Sequence, residues 1–119
     1  MTKINQKNFK KTLSKFATGI TIICVKNNEI TVGKTVNSFN SLSLDPPLVL
    51  FSLGKNSSSI NDFINTKFLS INILSKKQKN LSLLFSEKKI KLNKLKFIKG
   101  KNKTSIIPDC VANLECKVN

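Results

Sequence analysis

The sequence predicts a mainly β protein, an antiparallel barrel with short helices, in one domain spanning residues 1–119. Apolar, β-branched runs separated by turn residues recur along most of the chain. Helical periodicity is confined to short segments, so strands do not alternate with long helices as they do in a parallel sheet. The length suits a single core, because domains commonly have about 100 to 200 residues.

The N-terminal segment predicts a short amphipathic helix. Phe9, Leu13 and Phe16 follow an i, i+4, i+7 spacing with Lys between them, and Gly19 is placed to end the helix. We expect its apolar stripe to seal one end of the core.

A β-hairpin follows. Residues 20–25 are almost continuously apolar and β-branched, which indicates a strand covered on both faces. Residues 26–29 supply turn chemistry because Asn tolerates positive φ. The chain returns through residues 30–36, with Gly33 a candidate bulge.

The middle of the chain combines a polar segment with two strands and a helix. Residues 37–45 are rich in Ser and lead into Asp45-Pro46-Pro47, which indicates a loop or irregular strand. Residues 48–53 predict a buried strand. A helix over 60–65 follows, with a Ser side chain able to cap it, and 68–74 alternate as a half-buried strand.

The C-terminal third predicts one helix, a connection and a last strand. Ser75 is a candidate cap for a helix whose inner face carries Leu81, Leu84 and Phe85. Residues 87–103 predict a long Lys-rich surface segment, and the alternation over 111–118 predicts the final strand.

The charge of +15 suggests anionic partners, yet the residue types argue against nucleic acid. All 21 basic residues are Lys, and Trp and Tyr are absent, so bidentate readout by Arg and most aromatic stacking are unavailable. The bias indicates a Lys-rich surface whose field still attracts small anions.

Catalysis by side chains alone has little support. With no His there is no Ser-His or Cys-His pair and no complete zinc site, and the six acidic residues are scattered. We therefore predict no catalytic residue and no metal ligand, which leaves the chemistry to a cofactor.

The cysteines and the N-terminus indicate a cytoplasmic protein. Cys24 lies in an apolar run and fits a small core residue, while Cys110 and Cys116 fit free thiols in a reducing compartment. Neither a signal-peptide core nor an apolar run of membrane-spanning length is present.

Two segments suggest a phosphorylated aromatic ligand. Residues 55–59 combine a cation, hydroxyl groups and a helix start, where free N–H groups attract phosphate. Residues 35–41 place small polar groups, including Ser41, directly after a strand, which suits the polar edge of a flat ring. Neither segment is specific alone, because a Ser-rich helix start is more often a plain N-cap and a polar loop after a strand is usually a solvated turn.

The same segments resemble a known family, the flavin reductase-like domains with an FMN-binding split barrel. The resemblance covers nearly the whole chain and is most specific from Thr35 to Pro47. The matching segments are Phe9 with 16–21, 33–49, 56–59, Phe68 with 71–74, Leu81 with Phe85, and 114–116.

The resemblance implies a split barrel that reduces FMN or FAD with NADH or NADPH and supplies reduced flavin to a partner monooxygenase. It implies hydride transfer from a nicotinamide stacked on the flavin, with the protein orienting the two rings, and a homodimer that buries part of the site. The implied isoalloxazine contacts are Thr35, Val36, Asn37 and Ser38, with Ser52 and Leu53 beside them. The implied phosphate contacts are Lys55, Ser57, Ser58 and Ser59.

The sequence departs from the family pattern at two places. Lys34 stands where relatives often have an uncharged residue, which favours an anionic reduced flavin. The family also continues with further strands and a His-containing segment, so the chain is expected to be truncated after 116–118, with an open barrel edge. A flavin-binding protein without turnover and a basic nucleic-acid-binding module are the alternative hypotheses.

Overall fold

The computed structural model describes residues 3, 5–13, 15, 19–86 and 95–119. They form a mainly β structure with short helices, as predicted. In chain order the elements are α1 (Gln6–Leu13), β1 (Thr21–Asn27), β2 (Ile30–Val36), β3 (Asn40–Leu44), β4 (Pro47–Leu50), α2 (Ile60–Ile64), β5 (Phe68–Ile73), a 3-10 turn (Lys76–Gln78), α3 (Lys79–Leu84), β6 (Ile98–Lys99), β7 (Ser105–Ile106) and β8 (Ala112–Lys117).

The main sheet has four antiparallel strands in the order β2-β1-β5-β8. Two shorter hairpins, β3-β4 and β6-β7, form separate sheets, and within the described ranges the three sheets do not close into a barrel. Strand β1 is buried on both faces, as predicted, because Ile23 and Val25 join one apolar cluster and Ile22 and Cys24 join another. The main sheet therefore separates two cores.

In the β1-β2 hairpin β2 has the predicted boundaries, whereas β1 continues to Asn27 into the predicted turn, and the bulge expected at Gly33 is wrong. Asn28 adopts a φ of 55° in the turn, as Asn tolerates. Gly33 pairs in regular register with Cys24. It is glycine for another reason, because a Cβ there would overlap the ring of Phe85, which is fully buried.

Strand β5 is buried on both faces, whereas its alternation predicted one exposed face. The side chain of Asn72 is fully buried with all its hydrogen-bonding capacity used. Its Nδ2 donates to the Ile22 carbonyl (3.1 Å) and to Ser70 Oγ (3.0 Å). Its Oδ1 accepts from the Ile107 amide (3.0 Å) and from Asn113 Nδ2 (2.7 Å). These bonds hold the segment after β7 over the sheet, which is why the polar face is covered.

The β3-β4 hairpin corrects the prediction of a buried strand over 48–53. Strand β3 is irregular, as expected, with a register shift between Ser41 and Ser43, and the Asp45-Pro46 bond before β4 is cis. Strand β4 ends at Leu50, which is 40% exposed. It pairs only with β3, so one face of the hairpin does not reach either core.

Helix α1 forms where predicted, but its apolar stripe does not seal the core. Phe9 and Leu13 are 48% and 54% exposed and belong to neither apolar cluster. Phe16, the third residue of the expected stripe, lies outside the described residues.

The helices α2 and α3 both form close to their predicted positions. Ser59 precedes α2, but no side-chain bond caps this helix, contrary to expectation. Before α3, the Ser75 amide donates to Gln78 Oε1 (3.0 Å). Phe85, just after α3, is buried as predicted.

The region predicted as a surface segment over 87–103 is partly structured. Residues 87–94 lie outside the described part, while 98–99 and 105–106 pair as β6 and β7. The turn between them is held by Glu115, whose carboxylate accepts from the amides of Lys101 (2.8 Å) and Asn102 (3.0 Å) and from Thr104 Oγ1 (2.6 Å). These bonds, the Thr104 hydroxyl first, keep the pKa of Glu115 below its ordinary value of 4.5.

Candidate functional site

The fold brings the end of β2 next to the segment after β4. Ser38 Oγ accepts from the Ser52 amide (2.8 Å) and donates to the Ser52 carbonyl (3.3 Å). Val36 and Leu53 also pack in the same apolar cluster. Residues 36–38 and 52–53, which are distant in the sequence and are both predicted to contact the isoalloxazine ring, are therefore in contact with each other.

The side chains at the end of β2 point in different directions. Thr35 Oγ1 donates to the Ser82 carbonyl (2.8 Å), and the Thr35 amide donates to the Phe85 carbonyl (3.4 Å). The Thr35 hydroxyl proton is thus committed to α3. Val36 is 7% exposed, so it offers a ligand little more than its backbone. Asn37, which is exposed, has the freest side chain of the three.

The predicted phosphate-binding segment forms a tight turn. The Ser57 amide donates to the Gly54 carbonyl (3.1 Å), and the Ile60 amide donates to the Ser57 carbonyl (3.2 Å). Ser57 Oγ accepts from the Ser59 amide (3.4 Å). Lys55 and Ser58 are exposed on this turn, so an ammonium and a hydroxyl are available to an anion.

Helix α2 itself contributes little to anion binding, because it has only five residues and its dipole is correspondingly small. Binding of an anion at this turn would therefore depend mainly on the hydroxyl groups and the Lys55 ammonium. This donor set still fits a phosphate group.

Ser41 is less closely associated with the other predicted contacts. It is exposed on β3, opposite Val49, and its amide donates to Asn40 Oδ1 (2.8 Å). It shares no hydrogen bond with the β2 end or with the turn at 55–59 among the described residues. We call residues 35–38, 52–53 and 55–59 the predicted flavin site and treat Ser41 separately.

The predicted flavin site lies apart from two concavities of the described residues. These have volumes of about 880 and 450 Å³, and residues 35–38, 52–53 and 55–59 line neither of them. Val36 and Leu53 of the site share an apolar cluster with aromatic residues. Phe51 packs edge-on against Phe63, with ring centroids 6.5 Å apart, and Phe39 and Val49 pack against the same cluster.

The cysteines do not offer an activated nucleophile. All three are free, and burial raises the pKa of Cys24 to about 12. Burial also raises the pKa of Cys110 and of Cys116. The thiolate forms are therefore suppressed at neutral pH, which agrees with leaving the chemistry to a cofactor.

Comparison with known proteins identifies the family. The model of the "Flavin reductase like domain" matches residues 13–119. The chain belongs to the flavin reductase-like domain family. The predicted flavin site lies within the residues that this family model matches.

Two curated relatives of the flavin reductase-like domain are similar over much of the chain. The FMN reductase (NADH) SmoA of Agrobacterium fabrum is 36% identical over 113 residues, which are 95% of this chain and 65% of SmoA. HsaB of Mycobacterium tuberculosis, the reductase subunit of a flavin-dependent monooxygenase, is 38% identical over 86 residues, which are 72% of this chain and 46% of HsaB. The chain thus matches about half to two thirds of the length of these relatives.

A solved structure confirms the fold expected for the flavin reductase-like domain. Nitrilotriacetate monooxygenase component B from Mycobacterium thermoresistibile superposes with a TM-score of 0.89 at 33% identity, covering 96% of this chain and 64% of that protein. The mainly β architecture with short helices is the split-barrel fold of flavin reductases. Separately, none of the helices in the described ranges is long and apolar enough to cross a membrane.

Proposed function

We propose that this chain, as one domain over 1–119, is an NAD(P)H-dependent flavin reductase that reduces FMN or FAD. Support comes from the family and from the names of its relatives, which include an FMN reductase acting with NADH.

The observation that carries the proposal is the junction between Ser38 and Ser52. It sets the end of β2 beside the segment that leads into the turn at 55–59. Backbone groups at 36–38 and 52–53 would meet the polar edge of the ring, and Leu53 adds an apolar contact. Lys55 with Ser57, Ser58 and Ser59 would hold the ribityl phosphate through charge-assisted hydrogen bonds.

A homodimer is part of the proposal. The β3-β4 hairpin exposes Leu42 by 60%, Leu44 by 90% and Leu50 by 40%. Apolar side chains grouped on one hairpin favour burial against another surface. A second copy packed there would bury apolar area close to the predicted flavin site, because β3 begins two residues after Ser38.

A partner monooxygenase and a cytoplasmic location complete the proposal. HsaB is the reductase subunit of a flavin-dependent monooxygenase, and reduced flavin made here would serve an enzyme of that kind. Three free cysteines fit a reducing compartment. The nicotinamide donor is NADH or NADPH.

The test adds FMN or FAD and then NADH or NADPH to the purified chain. Oxidation of the nicotinamide is measured as the loss of its absorbance. Turnover that saturates with flavin supports the proposal. Flavin binding without nicotinamide oxidation would make the chain a flavin-binding protein instead, and a chain that does neither would contradict the proposal.

Variants locate the phosphate site. Replacing Ser57, Ser58 and Ser59 together by Ala should weaken FMN binding at least about tenfold, because hydrogen bonds to charged groups contribute roughly 1.5–3 kcal/mol each and are not additive. Ser86→Ala, which removes an exposed serine after α3, is the matched control and should bind FMN normally. Equal affinity in both variants would remove the phosphate assignment.

A further inference from the structure

A second concavity of about 450 Å³ lies between three turns and is lined by four lysines. The turns are the β1-β2 hairpin loop, the segment before β5 and the loop between β6 and β7. We call it the lysine pocket, with Lys26, Lys67, Lys99 and Lys103 as its cations. It shares no residue with the predicted flavin site.

The lysines are more concentrated here than the composition explains. Lysine supplies four of the ten lining residues but 21 of the 119 residues of the chain. Two carboxylates oppose them. Glu29 lines the pocket, is 96% exposed and lies 4.0 Å from Lys26 Nζ, and the Glu115 carboxylate lies against the wall through its bonds with Asn102 and Thr104. The exposed ion pair contributes little, and four ammoniums against two carboxylates leave the pocket with a net positive charge.

The backbone around the lysine pocket is held firmly. The carboxylate of Glu115 accepts from the amides of Lys101 and Asn102 and from Thr104 Oγ1, which fixes the loop that carries Lys103. Within that loop the Gly100 amide donates to the Thr104 carbonyl (2.9 Å), and Lys103 has a φ of 63°. Cations on a rigid loop need less ordering when a ligand binds.

The opposite wall is fixed as well. Thr66 Oγ1 donates to the Phe68 carbonyl (2.7 Å), and the Val118 amide donates to the Lys67 carbonyl (2.8 Å). Lys67 Nζ lies 5.7 Å from the centroid of the Phe68 ring, and both residues line the pocket.

The groups left for a ligand are mainly donors. The hydroxyls of Thr66 and Thr104 are committed to internal bonds, so the four ammoniums and the amides of Asn28 and Asn102 remain. Such a set matches a ligand with many acceptor oxygens and several negative charges. The volume is in the range of small-molecule sites, about 300–1,000 Å³, which exceeds the need of one phosphate group.

We propose that the lysine pocket binds a chain of two or three linked phosphates, either a free polyphosphate or the phosphate chain of a nucleotide. Its concave shape between three turns favours a small polyanion over a nucleic-acid strand or an acidic protein surface. The lysine pocket shares no residue with the predicted flavin site, so this proposal does not depend on the reductase proposal.

The test titrates the full chain with tripolyphosphate, ADP and AMP by calorimetry, and with NMR detection of backbone amides. Tripolyphosphate should bind, and the amides of residues 66–68 and 102–104 should shift more than those of 55–59. Comparable binding by ADP with weaker binding by AMP would identify a nucleotide chain as a source. Binding by tripolyphosphate alone would identify the free polyphosphate.

Paired variants test whether the pocket lysines bind the ligand. Lys99→Gln with Lys103→Gln should weaken tripolyphosphate binding at least about tenfold, since two charge-assisted contacts are lost and 1.4 kcal/mol corresponds to a factor of ten. Lys76→Gln with Lys79→Gln removes two exposed charges outside the pocket and should leave the affinity within about twofold. All four positions are exposed, so neither pair endangers the fold.

Three results would overturn the proposal. The first is that the wild-type chain does not bind tripolyphosphate. The second is that the two double Lys→Gln variants weaken tripolyphosphate binding equally, and the third is that the amide shifts are centred on residues 55–59. The second would show a diffuse surface field, and the third would place the anion at the predicted flavin site.

Discussion

Gly33→Ala tests the close packing of β2 against the residue that follows α3. A Cβ built on Gly33 overlaps two ring carbons of Phe85, Cδ1 and Cε1, and lies 3.4 Å from Cζ. Phe85 is fully buried, with 0% of its surface exposed to solvent, so its ring has no free space to move into. Overpacking of this kind costs about 1–3 kcal/mol, and we expect about 2 kcal/mol here.

The assay is denaturant unfolding followed by far-UV circular dichroism, since the chain contains no Trp or Tyr for fluorescence. Gly54→Ala is the matched control. Its Cβ would meet nothing within 4 Å and its φ is not positive, so Ala should be neutral or stabilise by up to about 1 kcal/mol. The same substitution is thus expected to have opposite signs at the two glycines.

A double-mutant cycle isolates the contact. Phe85→Leu alone should cost roughly 1–2 kcal/mol, less than the 3–5 kcal/mol typical of Phe→Ala, because fewer atoms are removed. In the Phe85→Leu background, Gly33→Ala should cost at least about 1 kcal/mol less than in the wild type. Additive effects of the two substitutions, within about 0.5 kcal/mol, would refute the packing argument.

Three further predictions follow from single buried or hydrogen-bonded groups. Asn72→Ala should lower the free energy of unfolding by about 2–4 kcal/mol in denaturant titrations, because four hydrogen bonds of the buried amide are lost. Glu115→Gln should remove part of the stability loss that the wild type shows below pH 4.5, measured as unfolding midpoints against pH. Cys24, fully buried with a pKa of about 12, should react with a thiol reagent only after unfolding, while Cys110 and Cys116 react in the native chain.

The sign of the Glu115 effect follows from its lowered pKa. Because the folded chain holds this proton less tightly than the unfolded chain, the carboxylate stabilises the fold above pH 4.5 and this contribution is lost as the pH falls. An unchanged pH profile in the Gln variant would contradict the prediction. The control for Asn72→Ala is Asn80→Ala, at an exposed position, which should change the free energy of unfolding by less than about 0.5 kcal/mol. For the cysteines, three reactive thiols in the native chain would contradict the burial of Cys24.

Strand positions were predictable where local chemistry and burial agree. The boundaries of β2 matched the prediction, because a run of β-branched residues begins directly after an Asn turn. The two-sided burial of β5 was not predictable from alternation. Ser70 and Asn72 are polar, and tertiary hydrogen bonds, including those to the segment at 105–107, allow them to be buried.

The role of Gly33 shows a second limit of sequence reasoning. A glycine within a strand indicates either a bulge or a close approach, and the sequence does not say which residue approaches. Phe85 was identified as a core residue, yet its packing against β2 depends on a contact across 52 positions of the chain. Long-range contacts of this kind leave no local pattern.

For the candidate site, the sequence predicted segments that the fold partly brings together, but it did not predict their hydrogen bonds. Ser38 and Ser52 were both predicted, and the structure bonds them to each other. Thr35 was predicted as a ring contact, and the structure shows its hydroxyl donating to the Ser82 carbonyl. The direction of a side chain on a half-covered strand depends on the helix packed against it, which the sequence did not reveal.

The most direct test of the reductase account is a titration of FMN fluorescence with the purified chain. The account predicts saturable quenching with one flavin bound per chain, and quenching that weakens in the variant lacking the hydroxyls of Ser57, Ser58 and Ser59. FMN fluorescence that stays constant at every concentration of the wild-type chain would contradict it.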